Sequence, residues 1–357
     1  MEQHRPGLDP AVAEVRLAVR RALSALPADS TVLVGLSGGA DSLALAAAAA
    51  FEAPKLGLRV ITVTVDHGLQ DGSSEVAASA AAAASALGLE AVVVPVAVGV
   101  EGGPEAAARD ARYSALLEVA RRVGARAVLV GHTLDDQAET VLLGLARGAG
   151  ASSLQGMAVA GPLGVEAPSA ASGDTGADVD GIALLRPLLG VRRATTRSAC
   201  AAEALEPWDD PHNADARYAR VRVREKVLPV LEAELGPGIA EALARTAAQL
   251  REDAEAFDDM IDETIEDIVE HAEAGISVSV AALAANPAAL RHRIIRQIVA
   301  SEFHQSLTRA QTLEVARLVT DWSGQGPIDL PGCRARRVGG RLEFVAQGAD
   351  GPEGASA

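Results

Sequence analysis

The stretch Leu33–Leu45, LVGLSGGADSLAL, does most to limit what this chain can fold into. Val32–Leu36 is an apolar run that reads as a buried strand, and Leu43–Phe51 reads as a helix. Only Ser37, Gly38, Gly39 and Ala40 are left to turn the chain before a helix opens at Asp41–Ser42. Glycine lets backbone approach a ligand closely. The free N–H groups and the positive dipole end of a helix favour an anion. The segment is therefore a strand–turn–helix cradle for phosphate. It is not a Walker A loop, because no lysine follows its last glycine, and it is not GxGxxG. Asp41 sets a carboxylate beside the phosphates, where Mg²⁺ would sit; a dipole partner is the plainer alternative.

The same alternation continues downstream. Leu58–Val65, Leu89–Val94 and Ala127–Gly131 read as strands. Helical patterns over about 74–87, 104–123 and 135–146 follow them in turn. Mostly apolar strands separated by crossover helices predict a doubly wound α/β fold, a parallel sheet covered on both faces. Residues 161–181 are mainly Gly, Ala, Ser, Asp and Pro and read as a flexible loop insertion. The pattern resumes at Ile182.

A second region starts near Gly236. From Leu243 to Ile268 apolar residues recur every three or four positions, one face of a long helix. Its other face is acidic, with 13 Asp/Glu against two Arg over residues 231–272. A strand-like stretch, Ile276–Val280, precedes helical patterns at Pro287–Phe303 and Leu307–Val319, the latter capped by Ser306 or Thr308. Residues 334–345 read as a hairpin turning at Gly339–Gly340. The expected organisation is residues 1–235 as the nucleotide domain, 236–346 as a smaller, mainly helical domain ending in that hairpin, and 347–357 as a tail.

A chain of 357 residues suits about two domains, and 49% hydrophobic residues can fill their cores. Net charge −16 excludes a general polycation but leaves local basic patches open. The cations are nearly all arginines; Lys55 and Lys226 are the two lysines. Cys200 and Cys333 form no CxxC and no disulfide framework. His212, His271, His292 and His304 have no metal-ligand spacing, and Trp208, near Pro207 and Pro211, reads as a packing residue at the domain boundary. No apolar run reaches the roughly 20 residues of a membrane span, and no signal core follows Met1. A cytoplasmic protein with no membrane partner is expected.

Ser-Gly-Gly-x-Asp-Ser resembles the pyrophosphate loop of N-type ATP pyrophosphatases, which cleave ATP between the α and β phosphates. Further blocks narrow the likeness: VDHGLQDGSSEVA (65–77), EAAARDARYSALLEVA (105–120), GHTLDDQAETVLLGLARGAG (131–150), LLRPLL (184–189) and WDDPHNADARYARVRVREKVLPVL (208–231). In this order they closely resemble the tRNA(Ile)-lysidine synthase family over roughly residues 30–235. Residues 240–345 resemble its smaller substrate-specificity domain more weakly, and the further C-terminal domain of longer members is not expected here. The resemblance implies a PP-loop, Rossmann-like fold and an ATP-dependent ligase. Such an enzyme adenylates the wobble cytidine of a CAU-anticodon tRNA(Ile) on the oxygen of carbon 2. Free L-lysine then displaces AMP, giving lysidine.

It also implies roles for residues. Ser37, Gly38, Gly39, Ala40, Asp41 and Ser42 would bind ATP phosphates. Asp66 and His67 would lie near the adenosine, and His132 at the ligand-binding sheet edge. Arg147 and Gly148 would touch the nucleotide or the cytidine, or cap their helix. Asp135, Asp136 and Glu139 share a helix face where carboxylates could hold Mg²⁺ or the lysine ammonium. Asp41, Asp135, Asp136 and Glu139 are thus the catalytic candidates, and Asp41 and Asp136 the metal ligands. Arg109 and Arg112 form one cationic helix face for tRNA or phosphate. Two segments, Arg186–Lys226 and Leu290–Val345, each carry nine cations, against six and five carboxylates. From the first of them, Arg186, Arg192, Arg193, Arg217, Arg220 and Arg224 are the tRNA-binding candidates. With only 2% aromatics, recognition would rest on arginines and shape and be steeply salt-dependent. One departure is Gln70, where the family usually has a basic residue. A tRNA thiolase, a small-molecule amide ligase and a non-catalytic nucleotide or RNA binder are the rival readings. The placement of Cys200 and Cys333 speaks against the first. A homodimer stays open.

Overall fold

In the computed structural model the described residues are 7–68, 72–97, 104–148, 150–163, 181–210, 215–272 and 275–347. Most of the 161–181 insertion, Gln70, His212 and the tail beyond Gln347 lie outside them. The chain divides into two compact units, one up to Leu250 and one from Arg251, so the division falls inside a helix and not at Gly236, where composition shifts.

The first unit opens with α1 (Pro10–Leu23), which the sequence reading had not separated out. Asp9 accepts from the Ala11 N–H and Pro10 starts the helix. Val12, Val15, Val19 and Leu23 bury one stripe of it. There follow β1 (Thr31–Gly35), α2 (Ala40–Glu52), β2 (Arg59–Asp66), α3 (Ser73–Ala86), β3 (Glu90–Pro95), α4 (Pro104–Val123), β4 (Ala125–Leu129) and α5 (Leu134–Ala146). The short α6 (Ala151–Leu154), β5 (Ala160–Pro162), β6 (Ala183–Leu185), α7 (Arg193–Ala202), α8 (Ala219–Arg222) and α9 (Leu228–Leu235) complete it. A π-helical turn at Val223–Val227 joins the last two helices.

The six strands lie in the order β3-β2-β1-β4-β6-β5. All neighbours are parallel except β5, which pairs antiparallel with β6 at the edge. Val32, Leu33 and Val34 of β1 are all buried, as a strand covered on both faces requires. Val32 and Val34 face a core shared with α1, α2 and α7. Leu33 faces the opposite core with Leu116 and Val119 of α4. Strand order reverses at β1, so the loops after β1, β2, β4 and β6 meet at one crevice at the carboxyl ends of the strands.

The helix α10 (Ile239–Ile268) runs through the division. Its Phe257, Ile261, Ile265 and Ile268 join the core of the second unit. That unit continues with β7 (Val269–Ala272), β8 (Gly275–Ser279), α11 (Val280–Ala285), α12 (Ala288–Phe303), α13 (Arg309–Thr320), β9 (Ile328–Leu330), β10 (Cys333–Val338) and β11 (Arg341–Ala346). The hairpin is there, with Val338 opposite Arg341 and Gly339 at φ 58° in the turn. It is the middle of a five-stranded antiparallel sheet, β7-β8-β11-β10-β9. The unit holds more sheet than its sequence suggested, because the outer strands have three and four residues and too few alternations to read. Thr308 caps α13 in a reciprocal box with Gln311.

Candidate active site

The phosphate loop forms where β1 ends. Gly38 takes φ 84°, a conformation that favours glycine. Ser42, in the first turn of α2, clamps the loop. Its hydroxyl accepts from the Ser37 N–H at 3.1 Å and donates to the Gly39 carbonyl at 2.9 Å. The Trp208 N–H donates to the Gly38 carbonyl at 3.0 Å. That segment therefore lies over the loop rather than at a domain boundary. The buried Cys200 thiol donates to the Ala40 carbonyl at 3.3 Å, and burial pushes its pKa up to about 11. Gly131, just past β4, supports the loop from the other side. A Cβ there would lie 3.0 Å from the Asp41 backbone carbonyl, so any larger residue would push the two segments apart by a few tenths of an ångström.

The carboxylates converge on one guanidinium. Arg193, at the start of α7, reaches Asp41 through Nε at 3.5 Å, Asp136 through Nη2 at 2.7 Å and Glu139 through Nη1 at 3.1 Å. Asp41 also accepts from the Thr196 hydroxyl. Burial raises its carboxyl above the ordinary range, against the opposing pull of Thr196 and Arg193. Asp136 is 8% exposed and sits at the third position of α5. It accepts from the Thr133 N–H and hydroxyl, each at 2.8 Å, completing a capping box. Burial pushes its pKa up, but Arg193, His132 and the Thr133 bonds outweigh that and hold it below the ordinary range. Glu139 is fully buried and is gripped a second time by Arg224, at 2.7 and 3.1 Å, with Arg220 at 3.6 Å.

Asp135 points elsewhere. It takes both arms of Arg192, at 3.0 and 3.2 Å, and accepts from the Arg193 N–H at 2.7 Å, so it caps α7. Arg192 reaches on to Glu241 at 2.6 Å. Four arginines picked out as a cationic surface, Arg192, Arg193, Arg220 and Arg224, are thus spent on carboxylates. Their partners lie between 49 (Arg192 to Glu241) and 152 (Arg193 to Asp41) positions away, a pairing that no local pattern reveals.

Two imidazoles follow β2 and β4, the strands on either side of β1. Asp66 accepts from Gly68 and Ser74 and orders the turn after β2, bonds that hold its pKa down together with one from Ser73. Burial and Arg112 keep the neighbouring His67 below its usual pKa. Burial lowers His132 to about 3, helped by Arg112, Arg186 and Arg109 against Asp136. Both rings are neutral at working pH. Arg109 and Arg112 lie over the face of Tyr113 at 5.2 and 5.3 Å. Arg186 is buried, with Nη1 on the Ala158 carbonyl at 3.0 Å.

Other expected residues are not brought in. Arg147 and Gly148 end α5, about 16 Å along its axis from Asp136 at 1.5 Å per residue. Arg217 is 81% exposed and bound to its own neighbour Asp215. Sequence reasoning missed Thr133, Gln137, Thr196 and Gly131. Of these, only the Thr-x-x-Asp cap had a local signal.

Among the described residues no His, Cys, Asp and Glu set of three could hold a metal unaided. Asp41 and Asp136 nonetheless flank a gap that a cation now bridges. That donor set fits Mg²⁺, which takes one or two carboxylates together with substrate phosphates.

A PP-loop domain family model matches residues 14–231, and a TilS substrate binding domain model matches 279–343. The tRNA(Ile)-lysidine synthase of Leifsonia xyli subsp. xyli is 58% identical over 88% of this chain and 89% of that protein. That of Thermobifida fusca is 50% identical over 94% and 98%. Among solved structures, the U34-tRNA thiolase NcsA of Methanococcus maripaludis, with its [4Fe-4S] cluster, superposes with a TM-score of 0.55 at 19% identity. It covers 68% of this chain and 79% of that one, a likeness of fold alone. Here both cysteines are buried and free, one in each unit. With a PP-loop domain, a substrate binding domain and such relatives over nearly its whole length, this chain belongs to the tRNA(Ile)-lysidine synthase family.

Proposed function

We infer that this protein is the ATP-dependent ligase that joins L-lysine to carbon 2 of the wobble cytidine of CAU-anticodon tRNA(Ile), releasing AMP and pyrophosphate. The observation that carries this reading is the meeting of the phosphate-loop Asp41 with Asp136 and Glu139 around Arg193. Adenylation of a neutral base oxygen needs charge neutralised on the pyrophosphate leaving group. The N–H groups at the start of α2 would supply that here. Asp41 and Asp136 would hold Mg²⁺ together with the phosphates. When bound, the ion would neutralise charge that builds up on the leaving group.

The second step needs an uncharged amine. His132, beside Asp136, is held neutral by burial, so it adds no positive charge where the amine must enter. The Asp136 carboxylate, held ionised, offers the incoming ammonium a partner first. Lysine as the amine rests on the names of the relatives and on this acidic lining. A tRNA substrate supports the cytoplasm as its location, and among the described residues no helix is long and apolar enough to cross a membrane. The test is product analysis with ATP and unmodified transcript. The reading requires AMP and pyrophosphate in amounts that depend on the RNA. Release of ADP, or AMP release indifferent to RNA, would replace it with another nucleotide chemistry.

A further inference from the structure

The strap between α6 and β5 is fastened far more tightly than a connection needs. Gln137, buried on α5, pairs its amide with both backbone groups of Met157. Its Nε2 donates to the carbonyl at 2.9 Å, and its Oε1 accepts from the N–H at 2.7 Å. Gly156 is at φ 60°, and a Cβ there would lie 2.6–2.8 Å from the Gln137 amide. One residue beyond Met157, Arg186 takes over. Its Nη1 donates to the Ala158 carbonyl at 3.0 Å and its backbone N–H to the Val159 carbonyl at 2.8 Å. Arg186 is 9% exposed, yet among the described residues its buried Nε–H has no partner. Leaving such a donor unmet is costly, so it calls for an acceptor from a ligand or a water.

The location narrows the ligand. Arg186 directly follows β6, and β6 pairs with β4, whose Val130 N–H bonds the Leu185 carbonyl. Two residues on is His132, whose Nδ1 is also buried and, among the described residues, unpartnered. A donor and a neutral imidazole thus stand at adjoining strand ends, on the β4 side of the phosphate loop. His67, the residue expected near the adenosine, follows β2 on the other side. A cytosine edge carries ring-nitrogen and carbonyl acceptors next to an amine donor. We propose that Arg186 reads the target base, its Nε–H donating to the acceptor edge of the cytosine entering between the ends of β4 and β6, with Gln137 as the positioning residue that fixes the strap and Arg186 with it. This rests on the function proposed above.

Arg186→Lys keeps the charge and removes the Nε–H. It is compared with wild type for ATP affinity, thermal midpoint, and kcat and KM on two RNAs. One RNA carries cytidine at the wobble position and the other 3-deazacytidine, which lacks the ring-nitrogen acceptor. Loss of a hydrogen bond from a charged donor should lower kcat/KM on cytidine RNA at least tenfold, roughly. ATP affinity should stay unchanged, and the two RNAs should differ less in the variant than in wild type. Gln137→Glu, which sets an acceptor against the Met157 carbonyl, should lower kcat/KM in the same direction with ATP affinity intact, and serves if Arg186→Lys does not fold. A fall in ATP affinity equal to the fall in kcat/KM would overturn the proposal and assign the acceptor to ATP. Unchanged RNA kinetics in both variants would overturn it too. Failure of the wild type to modify cytidine RNA would instead remove the function on which it rests.

Discussion

At Arg193 one guanidinium faces three carboxylates, and two of them are almost wholly out of water. Removing one member of such a group leaves buried charge uncompensated, at a cost of roughly 3–5 kcal/mol. Glu139→Ala, which takes from Arg224 its close partner and from Arg193 one of three, is expected to lose up to about that much in urea denaturation, whereas Arg217→Ala should leave the midpoint where it is. A change of only the low-salt midpoint, abolished by added salt, would show the cluster to be a surface effect. At Gly131 the expected result is different in kind. Gly131→Ala pushes against Asp41 backbone, so ATP affinity should fall along with stability by about 1–3 kcal/mol. Calorimetric titration with ATP and a thermal melt separate the two. His132 gives a pH signature. Its pKa is held at about 3, so above pH 6.5 it is neutral folded or unfolded. As pH falls from there towards 3, only the unfolded chain takes up the proton, and stability is lost. His132→Gln should therefore lose less thermal stability than wild type between pH 6.5 and 4.5.

The α5 helix shows how its elements were legible and its site only half so. Alternation of apolar strands with helices located β1 to β4 and α2 to α5 within a few residues, because each buries on both faces or along one stripe. The glycine loop was equally plain, since strand, turn and helix follow one another without a gap. What those elements hold together was not. Asp135, Asp136 and Glu139 looked like one ligand face, but Asp135 turns away to cap α7 and Glu139 is sealed beneath arginines. Those partners come from a helix start and a π-helical turn that have no periodic signal. Strand β5 was read as loop because three residues at an edge carry no alternation. In the second unit Thr308 was one of two candidate caps. Thr308→Ala should destabilise α13 by about 1 kcal/mol, read as faster amide exchange over Arg309–Thr320.

For the whole molecule the question is how a chain of net charge −16 meets a polyanion. Half the answer lies in which arginines are free to act. In the segment Arg186–Lys226, Arg192, Arg193, Arg220 and Arg224 are used internally, and Arg336 and Arg341 of the second unit are paired with Glu343 and Glu270. An arginine already paired gains little by moving to phosphate. The tRNA affinity should therefore fall with salt less steeply than the logarithmic slope of about −8 that nine phosphate contacts would give. Filter binding from low to moderate salt reads that slope directly. The composition misleads here, because charge counts do not say which charges face each other.

The central claim is tested most directly by labelled lysine, ATP, Mg²⁺ and an unmodified CAU-anticodon tRNA(Ile) transcript. Incorporation of lysine that requires ATP and the wobble cytidine, and that disappears in Asp41→Ala while that variant stays folded, is the expected result. RNA-dependent AMP release with another amine or a sulfur donor, and none with lysine, would contradict it.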